Sequence, residues 1–361
     1  MKKIETKLAQ LGNRKDKVTG AIVTPIYLST AYAHPGLGES TGYDYTRTKN
    51  PTRPILEEGL CELEEGCRAI ATSSGMSAIQ LVFELFDLNS EFLVSRDLYG
   101  GSFRYFDELE RKGAQKFIYF TDEKDLEDKI TDNTKAVFIE TPTNPLMQEI
   151  DIERVAQISK SKNALLIVDN TLLTPLRQKP LTLGADIVVH SATKYLTGHN
   201  DILAGAVITN DEQIGERLAW ISNTTGAVLS SFDSWLFIRS LKTLPLRFNQ
   251  QEKNAKKLVE ELAKHPEVKE VLYPNRGAML SFKLKDATKI DKFLRSLRVA
   301  IFAESLGGVE TLVTYPTTQT HFDIPEELRL SYGLTPDLLR ISVGVEDAED
   351  LVEDFLRALE A

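Results

Sequence analysis

Two apolar stretches that end abruptly in polar residues constrain the fold of this chain more than any other feature. Residues 164–168 are all aliphatic and run directly into Asp169, and residues 187–189 are β-branched and lead to a cluster of hydroxyl groups around Lys194. Short apolar runs of this kind predict buried strands. Because Asp169 precedes Lys194 by 25 positions, we expect one crossover between parallel strands. Both polar groups then lie at the carboxyl ends of strands, where open α/β sheets bind ligands.

The residue types at these two strand ends favour one chemistry. A lysine amine forms a Schiff base with an aldehyde, and hydroxyls such as those of Ser191 and Thr193 hydrogen-bond a phosphate. A buried aspartate needs a cationic partner to stay ionised, and a protonated pyridine nitrogen is such a partner. The pattern predicts pyridoxal 5′-phosphate (PLP) attached at Lys194, with Asp169 beside its ring. The structural alternatives are a surface lysine and an aspartate that caps a helix.

The order of elements along the chain predicts an α/β fold with two domains. Strand, helix and strand recur from about residue 69 to 209, which indicates a doubly wound, mainly parallel sheet of at least five strands. Helices over 232–248 and 249–264, followed by short strands, predict a smaller α/β domain. The N-terminal segment, before the first strand, is rich in Tyr and Ile, so we expect it to be an arm that packs on a neighbouring subunit. The divisions are an N-terminal arm (1–47), a cofactor-binding domain (48–235) and a C-terminal domain (236–361).

Composition excludes several classes of function. The chain has 361 residues, of which 42% are hydrophobic and 27% charged, as in soluble globular proteins. Its net charge of −10 argues against a nucleic-acid-binding surface. No apolar run approaches the ~20 residues that cross a bilayer, and the first residues lack the apolar core of a signal peptide. We expect a cytoplasmic protein. Scattered histidines and only two cysteines give no reason to expect a metal site or a disulfide framework.

Further candidate residues stand where strands give way to turns. Ser74, Gly75 and Met76 lie between a strand and a helix, an arrangement that presents free N–H groups to a phosphate, although a plain helix cap is the alternative. Tyr99 precedes two glycines, so its ring is either placed on an aromatic cofactor or fills a turn. Asn144 lies between prolines and is a rigid donor for the cofactor or for a substrate carboxylate.

Three more segments carry charged or hydroxyl candidates. Tyr45 and Arg47 are two residues apart and point the same way in extended backbone, which suits a phosphate. Arg340 lies within an apolar strand and needs an anion, which is either an amino acid's α-carboxylate or an internal ion pair. Glu304 and Ser305 precede a pair of glycines.

Together these segments resemble the cysteine/methionine-metabolism family of PLP enzymes along almost the whole chain. The resemblance implies the PLP-dependent transferase fold type I (aspartate aminotransferase-like), with a large doubly wound sheet domain and a smaller C-terminal α/β domain. It also implies a homotetramer, built as a dimer of dimers whose active sites are shared between subunits. The matching motifs are residues 45–47, 74–76, 99–101, 140–145, 169–171, 191–195, 304–308 and 339–344.

The resemblance assigns roles to individual residues. Lys194 binds PLP covalently and moves protons at the substrate Cα, and Asp169 pairs with the pyridine nitrogen. Tyr99 stacks on the ring and assists deprotonation, so the catalytic residues are Lys194, Tyr99 and Asp169. The other cofactor-binding residues are Ser74, Gly75, Met76, Thr171, Ser191 and Thr193, with Tyr45 and Arg47 reaching the phosphate of the adjacent subunit. The substrate-binding residues are Asn144, Glu304, Ser305 and Arg340.

The resemblance also implies γ-replacement in trans-sulfuration and methionine biosynthesis. Cysteine displaces the acyl group of an O-acylhomoserine to give cystathionine, and sulfide in its place gives homocysteine. Thr48 stands where some γ-synthases carry a second arginine for a succinyl group, which favours an acetyl ester. Glu304 is typical of γ-synthases and γ-lyases. The main alternative is γ-elimination of cystathionine to cysteine, 2-oxobutanoate and ammonia; a β-lyase or a non-catalytic protein of the same fold is less favoured.

Overall fold

A computed structural model describes residues 2–361. Its larger sheet contains seven strands: β1 (Arg68–Thr72), β2 (Glu91–Ser95), β3 (Lys116–Phe120), β4 (Thr134–Glu140), β5 (Leu165–Asp169), β6 (Ile187–His190) and β7 (Gly205–Thr209). Their order is β1-β7-β6-β5-β4-β2-β3. Strands β3, β2, β4, β5 and β6 are parallel, whereas β7 is antiparallel to both β6 and β1. The predicted mainly parallel sheet is confirmed, and β5 and β6 are the neighbouring parallel strands expected before Asp169 and Lys194.

Helices cover both faces of this sheet. In β5, Ile167 packs into an aromatic-rich cluster on one face, while Leu166 and Val168 pack into an aliphatic cluster on the other. Strands buried on both faces are continuous apolar runs, which explains why they stand out in the sequence. The first cluster includes α3 (Gly75–Phe83), α4 (Gly100–Arg111) and α8 (Glu212–Thr225), and the second includes α5 (Glu123–Lys129) and α6 (Ile152–Ser161).

The smaller sheet is built from the last third of the chain. Its strands are β8 (Val268–Leu272), β9 (Met279–Leu284), β10 (Ile301–Phe302), β11 (Leu312–Thr314) and β12 (Leu338–Ser342). Their order is β10-β11-β12-β9-β8, and only β10 and β11 are parallel. The helices of this part are α10 (Leu244–Leu262), α11 (Ile290–Ser296), α12 (Glu326–Ser331) and α13 (Ala348–Leu359).

The predicted helix over residues 232–248 is wrong. The segment contains two helices: α9 spans Ser231–Leu241, and α10 begins at Leu244. Pro245 lies in the first turn of α10, where its missing N–H costs no hydrogen bond; inside a longer helix it would remove one. The apolar periodicity runs across this break and conceals it.

The N-terminal arm contains a helix that was not predicted from the sequence. Helix α1 (Ile4–Ala9) places Leu8 in the chain's own core, next to α2 (Arg53–Glu64). Farther along, Ile22, Leu28 and Leu37 are 76%, 73% and 107% exposed. These apolar side chains agree with an arm that packs on another subunit. The domain boundaries at residues 47 and 235 remain predictions.

The remaining helical segments are short. Helix α7 (Thr174–Arg177) follows β5, and 3-10 helices span Pro180–Leu183, Ala287–Lys289 and Pro316–Thr318. Among residues 2–361 no helix combines the length and the apolar character needed to span a membrane.

Candidate active site

A cavity of about 300 Å³ lies at the carboxyl ends of the parallel strands. The turn after β6, the start of α3 and the loop before β11 all contribute to its wall. The cavity therefore joins segments that are far apart in the sequence. The predicted residues that line it are Ser74, Gly75, Met76, Tyr99, Asn144, Asp169, Thr171, Ser191, Thr193, Lys194, Glu304, Ser305 and Arg340.

Lys194 lies in the turn after β6 and donates a hydrogen bond to Ser305, with 3.0 Å between Nζ and Oγ. Burial is the main cause that lowers the pKa of Lys194 from 10.5 to about 8. The charge of Arg340 lowers this pKa further, whereas Glu304 raises it. An amine with a pKa this near neutrality is partly unprotonated, so Lys194 is suited to attack an aldehyde and to accept a proton.

Asp169 is the last residue of β5 and is 8% exposed. Its Oδ1 accepts a hydrogen bond from the Thr171 N–H at 2.9 Å, and the Thr171 hydroxyl accepts one from the Ser191 N–H at 2.8 Å. Thr171 thus connects Asp169 to the turn that carries Lys194. Burial raises the pKa of Asp169, while hydrogen bonds from Thr171 and the charge of His190 lower it.

The start of α3 provides a cradle of the kind that holds phosphate. The Ser74 hydroxyl accepts a hydrogen bond from the Ser77 N–H at 3.0 Å and caps the helix. A Cβ at Gly75 would lie 2.7 Å from Cβ and 2.8 Å from Oγ of Ser191. Because Gly75 has no side chain, the helix terminus approaches the turn after β6 closely. The first N–H groups of α3 have no partners within the helix, so they favour a bound anion.

Thr193 has a structural bond as well as a place in the cavity. Its hydroxyl donates to the Ala204 carbonyl at 3.1 Å and accepts from the Ala204 N–H at 3.0 Å. These bonds fix the turn after β6 against the start of β7. Its predicted role in phosphate binding remains a prediction.

Arg340 is 1% exposed and lies at the centre of β12. It donates to Asn144 Oδ1 at 3.1 Å, to the Ser305 carbonyl at 2.7 Å and to the Thr314 hydroxyl at 2.9 Å. Burial lowers its pKa to about 10. Within residues 2–361 it forms no ion pair with a carboxylate, and its Nε is buried without a hydrogen-bond partner. The internal ion pair that was the alternative for Arg340 is therefore not formed, and the site is suited to an incoming carboxylate.

Tyr99 lines the cavity and is 38% exposed. Its N–H donates to Glu140 Oε2 at 2.8 Å. A Cβ at Gly101 would lie 2.4 Å from Cε1 of the tyrosine, so the ring lies directly against the glycine. The pair of glycines that follows Tyr99 gives its ring the space it occupies.

Tyr45 and Arg47 do not line this cavity. The Arg47 guanidinium lies 5.6 Å from the centre of the Tyr45 ring and donates to the Asn223 carbonyl. Their position outside the cavity of their own chain agrees with a contribution to the site of another subunit, which remains a prediction.

Glu140 and His190 line the cavity but were not selected from the sequence. Glu140 ends β4, and His190 ends β6 with Nε2 2.6 Å from Glu64 Oε1. The signal that identified Asp169, a polar residue at the end of an apolar strand, was present at both positions. Their neighbours depend on strand register and on packing against α2, which the sequence does not display.

The residues of the cavity fit PLP. A buried lysine of lowered pKa is available for its aldehyde, and Asp169 is available for its pyridine nitrogen. The start of α3 suits its phosphate, and the Arg340 guanidinium, which forms no ion pair within residues 2–361, is available for the carboxylate of an amino acid. These four features meet in one cavity.

Comparison with known proteins gives the same result. Residues 5–360 match the family described as Cys/Met metabolism PLP-dependent enzyme. The chain is 57% identical over 358 residues to cystathionine gamma-synthase/O-acetylhomoserine (thiol)-lyase of Bacillus subtilis, covering 99% of this chain and 96% of the relative. It is 52% identical over 358 residues to cystathionine gamma-synthase of Haemophilus influenzae, covering 98% and 97%.

A solved structure extends the comparison to the fold. Cystathionine gamma synthase from Xanthomonas oryzae pv. oryzae, in complex with cystathionine, matches with a TM-score of 0.97 and 39% identity, covering 100% of this chain and 98% of that one. The predicted fold, family and cofactor are confirmed. The chain belongs to the Cys/Met metabolism family of PLP-dependent enzymes.

Proposed function

We propose that the chain catalyses γ-replacement on an O-acylhomoserine, with cysteine as the thiol and cystathionine as the product. The Cγ–O bond of the ester breaks and a Cγ–S bond forms. The acyl group leaves as a carboxylate, and the thiol proton passes to solvent. When bound, PLP supplies the electron sink that stabilises negative charge at Cα.

The observation that carries this proposal is the position of Ser305 between two charged residues. Its hydroxyl accepts from Lys194 and its carbonyl accepts from Arg340. A substrate carboxylate bound to Arg340 lies on the same side of the cavity as the Lys194 amine. Lys194 is then placed to take the proton from Cα and to return a proton later in the reaction.

Glu304 supports a second amino acid as the nucleophile. It is an exposed carboxylate on the wall of the cavity, and we assign it to the ammonium group of cysteine. The relatives named cystathionine gamma-synthase support this choice of product. Sulfide carries no ammonium group, so its use in place of cysteine would not need Glu304.

An acetyl ester is the proposed substrate. Thr48, which follows Arg47, donates its hydroxyl to Asn223 Oδ1 at 2.9 Å. This position supplies no cation for the second carboxylate of a succinyl group. The relative from Bacillus subtilis, whose name includes O-acetylhomoserine (thiol)-lyase, supports the acetyl ester.

We also propose a homotetramer in which pairs of subunits share their active sites. The exposed apolar side chains of the arm support this assembly, as does the fact that Arg47 does not line the cavity of its own chain. A cytoplasmic location remains a prediction from the sequence.

Mass spectrometry of the products tests the proposed reaction. The PLP-loaded enzyme is incubated with O-acetylhomoserine or O-succinylhomoserine, and with cysteine or sulfide. We expect cystathionine from the acetyl ester and cysteine at the highest kcat/KM. Lys194→Ala is expected to abolish its formation, whereas Lys285→Ala, which removes an exposed lysine, provides the matched control. Failure of both esters to give cystathionine would contradict the proposal.

A further inference from the structure

Glu140 is a buried carboxyl group in the cavity wall that the proposed reaction does not use. It is 5% exposed, ends β4, and pairs in register with Asp169 of the parallel strand β5. Residues in register on adjacent strands point to the same face of the sheet, about 4.8 Å apart. The Glu140 and Asp169 carboxyl groups are therefore neighbours.

The surroundings of this pair contain no cation bonded to it. Within residues 2–361 neither carboxyl group forms an ion pair. Arg340 is the cation that faces Glu140, but its hydrogen bonds go to Asn144, Ser305 and Thr314. A third carboxyl group, that of Asp97, is 5% exposed and adds to the negative charge near Glu140. Like charges buried this close together are not all ionised.

The hydrogen bonds decide which member of the pair holds the proton. Asp169 accepts from the Thr171 N–H at 2.9 Å and is supported by the Thr171 side chain. Among the partners that residues 2–361 provide, the Glu140 carboxyl group accepts only from the Tyr99 N–H, at 2.8 Å. Burial, followed by the charge of Asp169, raises the pKa of Glu140 well above its usual range. This hydrogen-bond arrangement favours the proton on Glu140 and the negative charge on Asp169.

The hydrogen bond from the Tyr99 N–H allows the Glu140 carboxyl group to position the tyrosine. The Tyr99 N–H lies one residue before α4, whose first residues are Gly100 and Gly101. The tyrosine ring lies against Gly101, where a Cβ would come within 2.4 Å of Cε1. The place of the ring thus depends on the backbone position that Glu140 fixes.

We propose that Glu140 is a positioning residue that works as a neutral acid: it holds the Tyr99 backbone and leaves Asp169 as the ionised carboxyl group at the strand ends. This inference rests on the proposed roles of Tyr99 and Asp169.

Two substitutions of similar size separate the hydrogen bond from the charge. Glu140→Gln keeps an acceptor for the Tyr99 N–H without a negative charge, whereas Glu140→Met removes the acceptor. We expect Glu140→Met to lower kcat by about 10- to 100-fold through displacement of Tyr99, with a changed visible circular dichroism of bound PLP. Glu140→Gln should restore most of both. A loss in Glu140→Gln as large as in Glu140→Met, or no loss in either, would overturn the proposal.

Infrared difference spectroscopy detects directly whether the Glu140 carboxyl group is protonated. It does not need a folded Glu140→Met variant. The spectrum of the unaltered protein minus that of Glu140→Gln should show a protonated carboxyl band at neutral pH, with or without PLP. A carboxylate band in its place would overturn the proposal. If the protonated band were present but no cystathionine formed from O-acetylhomoserine and cysteine, the proposed function alone would fail.

Discussion

Lys194 donates its hydrogen bond to Ser305, with 3.0 Å between Nζ and Oγ, and Ser305 holds this position with a φ of 90°. This left-handed backbone is uncommon for serine and costs on the order of 1–3 kcal/mol. The carbonyl of the same residue accepts from Arg340 at 2.7 Å. One strained residue therefore contacts both the lysine, which is assigned to the substrate's Cα, and the arginine, which is assigned to its carboxylate.

The lowered pKa of Lys194 predicts how PLP uptake depends on pH. The neutral amine is the nucleophile, so uptake by the apoenzyme should accelerate as pH rises through about 8, not through the usual 10.5. The recovery of visible absorbance after PLP addition, followed from pH 6 to about 10, gives the midpoint. A midpoint near the usual lysine value would contradict the burial of this amine.

Glu304 makes the same measurement more specific. Its charge raises the pKa of Lys194, so Glu304→Gln should move the midpoint of PLP uptake to lower pH. Glu310→Gln removes the charge of another exposed glutamate of the same loop, outside the cavity, and should leave the midpoint in place. Equal shifts in the two variants would show a general charge effect instead.

Arg340→Lys should weaken binding of the acylhomoserine more than it slows turnover. A lysine cannot reproduce the planar fork, and hydrogen bonds to charged groups contribute about 1.5–3 kcal/mol, so KM should rise about 10- to 100-fold. Initial rates over a range of substrate concentrations separate KM from kcat. Arg295→Lys, an exposed substitution on α11, is the control. A fall in kcat with KM unchanged would contradict carboxylate binding by Arg340.

Gly75→Ala should weaken the binding of PLP. Its Cβ would lie 2.7 Å from that of Ser191, so the start of α3 must move away from the turn that carries Lys194. Equilibrium titration of the apoenzyme with PLP should show a raised Kd. An unchanged Kd in Gly75→Ala would show that the close approach is not part of the PLP site.

Sharing of active sites between subunits predicts complementation. Arg47→Ala and Lys194→Ala are each expected to be nearly inactive as separate proteins. A hybrid dimer should contain one site with both an intact Lys194 and the partner's intact arginine, so activity should return after the two variants are unfolded and refolded together. If Arg47 served its own chain, both hybrid sites would be defective and no activity would return.

Strand ends were predictable because the buried strands are apolar. Asp169 comes directly after one run of aliphatic residues, and Lys194 comes shortly after another. An aspartate and a lysine at such positions are typical of a PLP site. Glu140 also ends such a run, yet its relation to Asp169 follows from strand register, which pairs residues 29 apart in sequence. The positive φ of Ser305 likewise cannot be predicted from the fact that the residue is a serine.

Helix boundaries were less predictable than strands. The apolar residues before residue 242 form the buried face of α9, and those after it form the buried face of α10. Both sets have helical spacing, so the sequence reads as one helix. Pro245 was the available signal of a new helix start. The predicted roles of Tyr45 and Arg47 depend on a second subunit and cannot follow from the fold of one chain.

The most direct test of the proposed function is the ratio of two initial rates in one preparation of PLP-loaded enzyme. The first is cystathionine formation from O-acetylhomoserine and cysteine, and the second is 2-oxobutanoate release from cystathionine alone. We predict that the first has the larger kcat/KM. A larger kcat/KM for 2-oxobutanoate release would contradict γ-replacement as the main reaction and would identify the enzyme as a γ-lyase.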